Sequence, residues 1–141
     1  MRSLFLVMLL ILPITAYAED TDREKIERAC LNYLEGFYEG DKSKLIESLK
    51  PTVYKYGYFK SEKTGQFEGT QMTFDKALAY AENVKTTKKF ADPDAPKEIV
   101  IFEVGEKIAS AKVTAWWGID YMLLSRSGDK WMIEQVLWEQ G

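Results

Sequence analysis

Two side chains of opposite charge fall where strands should bury what they carry. Lys55 lies in the run Val53–Lys60 (VYKYGYFK), and Asp120 opens the run Asp120–Arg126. Successive strand side chains alternate between faces. Lys55 therefore shares a face with Val53 and Phe59, and Asp120 with Met122 and Leu124. A charge turned toward a low-dielectric cavity needs a partner. The pair then either grips a polar ligand, poises an acid/base group, or forms a structural salt bridge or two rim charges in solvent. Tyr33 is a third candidate, on the apolar stripe of a helix. Its hydroxyl is either bonded within the core or offered to a ligand. Gln135 is an amide on an otherwise apolar inner strand and needs a partner such as Tyr33, water or a ligand. Trp117 and Met122 supply flat and polarizable surface, suited to a cavity wall or to ordinary core packing.

Other chemistry is excluded by composition. The chain has no His, which removes His-based acid/base relays, Ser-His-Asp and Cys-His hydrolysis, and His metal sites. One Cys cannot build a zinc cluster or an internal disulfide. Asp92 and Asp94 sit in a proline loop without the further oxygen ligands that calcium needs. With 19 Lys and Arg against 22 Asp and Glu, the net charge is −3. No concentrated basic face is available for nucleic acid.

The elements that must position these residues follow from periodicity. Ile26, Ala29, Cys30, Tyr33, Leu34, Phe37 and Tyr38 make one helical stripe within Asp20–Gly40. Thr21 with Glu24 reads as a capping box, and Gly40 as a left-handed stop. Asp41 caps a short second helix that Pro51 ends. Val53–Lys60 and a return from Phe67 read as strands, and Thr73 caps a third helix. Glu98–Val104, Lys107–Trp117, Asp120–Arg126 and Lys130–Trp138 are strands joined by Gly-containing turns, an antiparallel meander. Helices segregated from such a sheet define an α+β domain.

A two-residue turn at Gly128-Asp129 sets Arg126 opposite Trp131, Leu124 opposite Ile133, Met122 opposite Gln135 and Asp120 opposite Leu137. These residues share the concave face with Val53, Lys55, Gly57 and Trp117. Tyr54, Tyr56, Tyr121, Val136 and Trp138 then lie on the outer face. So apolar an outer face predicts a homodimer packed sheet to sheet, or else scattered surface aromatics.

The first 18 residues predict export. Arg2, the apolar run Leu4–Ile14 and then Ala16-Tyr17-Ala18 have the order of a cleavable signal peptide. The run is too short to span a membrane, which takes about 20 apolar residues. Cleavage after Ala18 leaves residues 19–141 as one domain in the periplasm or outside the cell, with no stable membrane association.

The order of elements resembles the nuclear transport factor two-like superfamily, and within it the putative lumazine-binding family. The resemblance is carried by YLEGFYEGDKSKLIESLKP (33–51), MTFDKALAYA (72–81), PDAPKEIVIFEV (93–104), ASAKVTAWWGIDYMLLS (109–125) and GDKWMIEQVLW (128–138). It implies a cone-shaped, cystatin-like fold: a curved antiparallel sheet wrapped around a long N-terminal helix plus two shorter helices, with a pocket inside. Steroid isomerases of the superfamily carry a tyrosine placed like Tyr33 that donates to a developing oxyanion. Asp120, if protonated, is the analogue of their second donor. Their general base would fall where this chain has Gly57, and without a base there is no proton abstraction.

The sequence thus reads as an exported, non-catalytic homodimer that binds an unknown small, partly aromatic ligand. Tyr33, Lys55, Asp120 and Gln135 supply polar contacts and Trp117 a flat wall, with no cofactor or metal. The alternatives are an isomerase or lyase using Asp120 or Lys55 with Tyr33, and a dimeric interaction module with a filled cone.

Overall fold

The computed structural model describes residues 21–141; the expected signal peptide, residues 1–18, and its expected cleavage site lie outside the described residues. Helix α1 (Asp22–Glu39) starts from the full capping box. The Thr21 hydroxyl accepts from the Glu24 N–H, and the Glu24 carboxylate accepts from the Thr21 N–H at 2.7 Å. Its apolar stripe is buried from Ile26 to Tyr38. Gly40 ends it at φ 67°, a left-handed conformation that costs glycine little. The Asp41 carboxylate then accepts from the Ser43 and Lys44 N–H groups to start α2 (Lys42–Ser48).

Strand β1 (Leu49–Lys60) follows α2 directly. It begins four residues before Val53 because Leu49 already pairs with Ile133. Pro51 is exposed in the irregular stretch between Leu49 and Tyr54, where its missing N–H breaks no ladder. Strand β2 (Phe67–Met72) pairs back on β1, and Thr73 caps α3 (Phe74–Thr87). Strands β3 (Glu98–Val104), β4 (Ile108–Ala115), β5 (Gly118–Ser127) and β6 (Lys130–Gln140) form the meander.

The six strands make one sheet in the order β2-β1-β6-β5-β4-β3. Four of its pairings are antiparallel and one, β1 with β6, is parallel. The sheet is therefore mixed rather than purely antiparallel, and it does not close into a barrel. β1 leaves α2 beside Ile133, near the start of β6, so the two strands run the same way. The helices cover one face, with α1 against β6, β3 and β4 and α3 against α1. Asp22 fixes the start of α1 to the β5–β6 hairpin, accepting from Arg126 Nη1 at 3.1 Å and from Trp131 Nε1 at 3.0 Å.

One strand departs from simple alternation. Leu124 faces Ile133 as the turn geometry requires, but the register shifts between Leu123 and Leu124. Beyond it Met122 faces Val136 and Asp120 faces Trp138. An extra residue on β6 opposes one on β5, and this bulge inverts every side chain that follows. Gln135, expected inside, is exposed on the convex face, while Val136 and Trp138, expected outside, turn into the core.

Candidate functional site

The buried stripe of α1 and the inner faces of β1 and β5 assemble a polar cluster in the concave face, and the β6 bulge brings Trp138 in beside it. Tyr33, in the middle of α1, is fully buried, as is Asp120 on β5. The Tyr33 hydroxyl donates to Asp120 Oδ2 in a short contact. From β1, Lys55 Nζ donates to Tyr33 Oη at 2.6 Å and to Asp120 Oδ2 at 3.2 Å. Trp117, in the turn between β4 and β5, donates its Nε1–H to Asp120 Oδ1 at 2.6 Å. Asp120 thus accepts from three donors through both oxygens, which suits an ionised carboxylate and leaves it nothing to donate.

Aromatic rings surround the ammonium. The ring centroids of Tyr33, Phe37, Trp117 and Trp138 lie 5.3, 5.8, 5.9 and 5.3 Å from Lys55 Nζ. Phe37, Trp117 and Trp138 bring π-systems within reach of the cation, while Tyr33 meets it through its hydroxyl. Burial pushes the Lys55 amine below its ordinary value, and the Asp120 carboxylate pulls it back up. Burial, and then the charge of Asp120, hold the Tyr33 phenol well above its ordinary range, so Tyr33 stays neutral.

A cavity of about 200 Å³ opens beside this cluster, lined by Phe37, Lys55, Met72, Tyr80, Trp116, Trp117 and Trp138. Lys55 is the one charged residue of that lining. Tyr33 and Asp120 sit behind it and shape the cavity through the lysine rather than by contact. Gly57 is required by close approach. A Cβ there would stand 1.9 Å from Trp138 Nε1, so the indole occupies the space above a bare backbone. That is the position where the isomerase resemblance calls for a base, and here it holds an aromatic ring. The Trp138 Nε1–H is buried with no partner among the described residues.

Of the residues singled out from sequence, Tyr33, Lys55, Trp117 and Asp120 come together, and Gln135 does not. Its amide lies on the far side of the sheet, in a groove with Tyr54, Tyr121 and Leu137. Sequence reasoning missed Trp138, which takes the place opposite Asp120 given to Leu137, while Val136 takes the one opposite Met122 given to Gln135. The signal was present in Glu134-Gln135, two polar residues in succession within a strand that alternation would half bury. Among the described residues no group of His, Cys, Asp and Glu could hold a metal ion.

The family model described as putative lumazine-binding matches residues 21–139. The chain belongs to the putative lumazine-binding family. None of the curated proteins matches it. Among solved structures it is similar to an NTF2-like protein from Shewanella baltica OS155, at 17% identity and a TM-score of 0.65, covering 85% of this chain and 94% of that one. A second NTF2-like protein, from Silicibacter pomeroyi DSS-3, is 18% identical with a TM-score of 0.63, covering 86% of this chain and 100% of that one. A domain with a cystatin-like fold from Nostoc punctiforme PCC 73102 is 12% identical with a TM-score of 0.58, covering 85% and 77% of the two chains. At these identities the likeness is one of fold, and fold leaves the chemistry of a site open.

Proposed function

We propose that this family member is an exported, non-catalytic protein that binds a small flat ligand inside the cone and works as a homodimer. One observation carries the binding reading: a cavity walled by Phe37, Tyr80 and three tryptophans, with one ammonium at its base. Apolar walls with a few placed polar groups are what small-molecule sites are made of.

Two features argue against catalysis. The Tyr33 hydroxyl and the Asp120 carboxylate are spent on each other and on Lys55, not turned toward a reacting atom. The base position is Gly57 under Trp138, and proton abstraction without a base has no route.

Export is supported by Arg2, the Leu4–Ile14 run and Ala16-Tyr17-Ala18, which end just before the Thr21 capping box that starts the fold. The dimer is supported by the convex face, where Tyr54, Phe102, Tyr121, Leu123 and Leu137 each expose about half their surface. A C2 dimer needs such a patch to match itself.

The test is native mass spectrometry of the protein isolated from the compartment to which it is delivered, with N-terminal sequencing of the same sample. A mature chain starting at Glu19 with a copurified small molecule is the expected result. A chain that still begins at Met1 overturns export. An empty protein whose tryptophan fluorescence responds to no compound in an aromatic library overturns binding. The family description makes lumazine the first compound of that library.

A further inference from the structure

We infer that the cavity selects an uncharged planar compound that presents a carbonyl-type acceptor to Lys55, and discriminates against carboxylates of the same shape. The inference rests on the binding reading above and adds the ligand's charge and its anchoring group.

The argument is a count of protons and charges. A lysine ammonium has three N–H donors. Two are engaged, by Tyr33 Oη at 2.6 Å and Asp120 Oδ2 at 3.2 Å. Among the described residues none accepts the third, and Lys55 is part of the cavity wall. The remaining wall is aromatic or thioether surface. The Nε1–H of Trp138, another residue of that wall, is buried against the Gly57 backbone and is not offered to a ligand. The site therefore offers one donor, the third N–H of Lys55, and asks for an acceptor.

Charge decides which acceptor. Lys55 lies in an ion pair with Asp120, at 6% and 0% side-chain exposure. The ammonium is already balanced before any ligand arrives. A neutral carbonyl oxygen can take the third N–H and leave the pair balanced. A carboxylate would bring a second anion close to Asp120 in a setting of low dielectric, where like charges repel strongly. It would also leave its own water without equivalent donors. A plain ammonium in an aromatic pocket would favour anions; the carboxylate behind it reverses that preference.

Three probes of one shape separate these terms: acetophenone, benzoate and α-methylstyrene, which differ in C=O, COO⁻ and C=CH₂. Dissociation constants are read from quenching of the cavity tryptophans, checked by calorimetry. Acetophenone is expected to bind roughly tenfold to a hundredfold more tightly than either of the others, the range of a hydrogen bond to a charged donor. In the paired variant Lys55→Met/Asp120→Asn, which keeps neutrality, that preference is expected to vanish while α-methylstyrene still binds. Benzoate binding best, or all three binding alike to the parent, overturns this inference and leaves the binding reading standing. Failure of all three to bind overturns both. Preference for acetophenone that survives in the paired variant removes Lys55 from the explanation and overturns the assignment.

Discussion

Asp120→Asn changes one atom and removes one charge, yet the structure makes it costly. Asp120 accepts from Tyr33, Lys55 and Trp117. An asparagine oxygen can serve the indole or the Tyr33–Lys55 side, but not both, and its NH₂ then faces another donor. The Lys55 ammonium is left buried without its counterion. Removing one partner of a buried pair costs about 3–5 kcal/mol. For a domain of this size that lowers Tm by roughly 10–20 °C. The loss depends on pH with a definite sign. Burial lowers the Lys55 pKa, and Asp120 supplies the two influences that raise it. Without them the folded-state value falls further, while the unfolded chain keeps the ordinary value of 10.5. Between the two the unfolded chain binds more protons, so the variant gains stability as pH rises toward 10.5. Urea titrations of parent and variant at pH 6, 8 and 9.5 measure the gap. It should be wider at pH 6 than at pH 9.5. A gap below about 1 kcal/mol at pH 6, or one that does not change with pH, refutes a charged Lys55–Asp120 pair.

Three further outcomes follow from the packing. Gly57→Ala drives a methyl into the Trp138 indole and should destabilise by about 1–3 kcal/mol, the cost of overpacking; an unchanged Tm and near-ultraviolet circular dichroism would remove the close approach as a constraint. Cys30 is fully buried and burial pushes its thiol up to about 12, so Ellman's reagent at pH 8 should label the folded protein no faster than it unfolds; rapid labelling would place the thiol at the surface. Leu137→Arg puts a charge in the middle of the convex apolar face, and analytical ultracentrifugation should shift from dimer to monomer with the Tm of the isolated fold kept; a monomeric parent refutes the dimer.

Local signals in the sequence were enough for the helices. Thr21 with Glu24, Gly40, Asp41 and Thr73 each state a start or stop through one side chain or one backbone angle, and each does so in the structure. Faces were legible wherever the period ran unbroken: the helical stripe placed Tyr33 inside, and strand alternation placed Lys55 and Asp120 there. Alternation fails after an inserted residue, because its period is two and a bulge shifts the phase by one. Gln135 gave its inner place to Val136, and Leu137 gave its own to Trp138, for that reason. The parallel pairing of β1 with β6 was not legible either. Periodicity describes a strand's two faces and says nothing about which strand lies along its edge.

The polar cluster adds little to stability on its own account. A buried ion pair roughly breaks even against apolar residues of the same volume, because desolvating both charges offsets their attraction. The paired variant Lys55→Met/Asp120→Asn should therefore regain most of what Asp120→Asn loses, a coupling of several kcal/mol in a double-mutant cycle. What remains is the Tyr33 hydroxyl hydrogen, which loses its carboxylate acceptor. A core that can lose its charges so cheaply does not need them for folding. Their effect is at the cavity, where Lys55 offers one N–H and Asp120, behind it, removes the attraction for anions. The rings of Phe37, Trp117 and Trp138 around the ammonium complete the same arrangement. They form the kind of box that elsewhere receives a ligand's cation, and here the chain's own lysine fills it. A cationic ligand is shut out by that occupant and an anionic one by Asp120, leaving the neutral compound as the one that both charges admit.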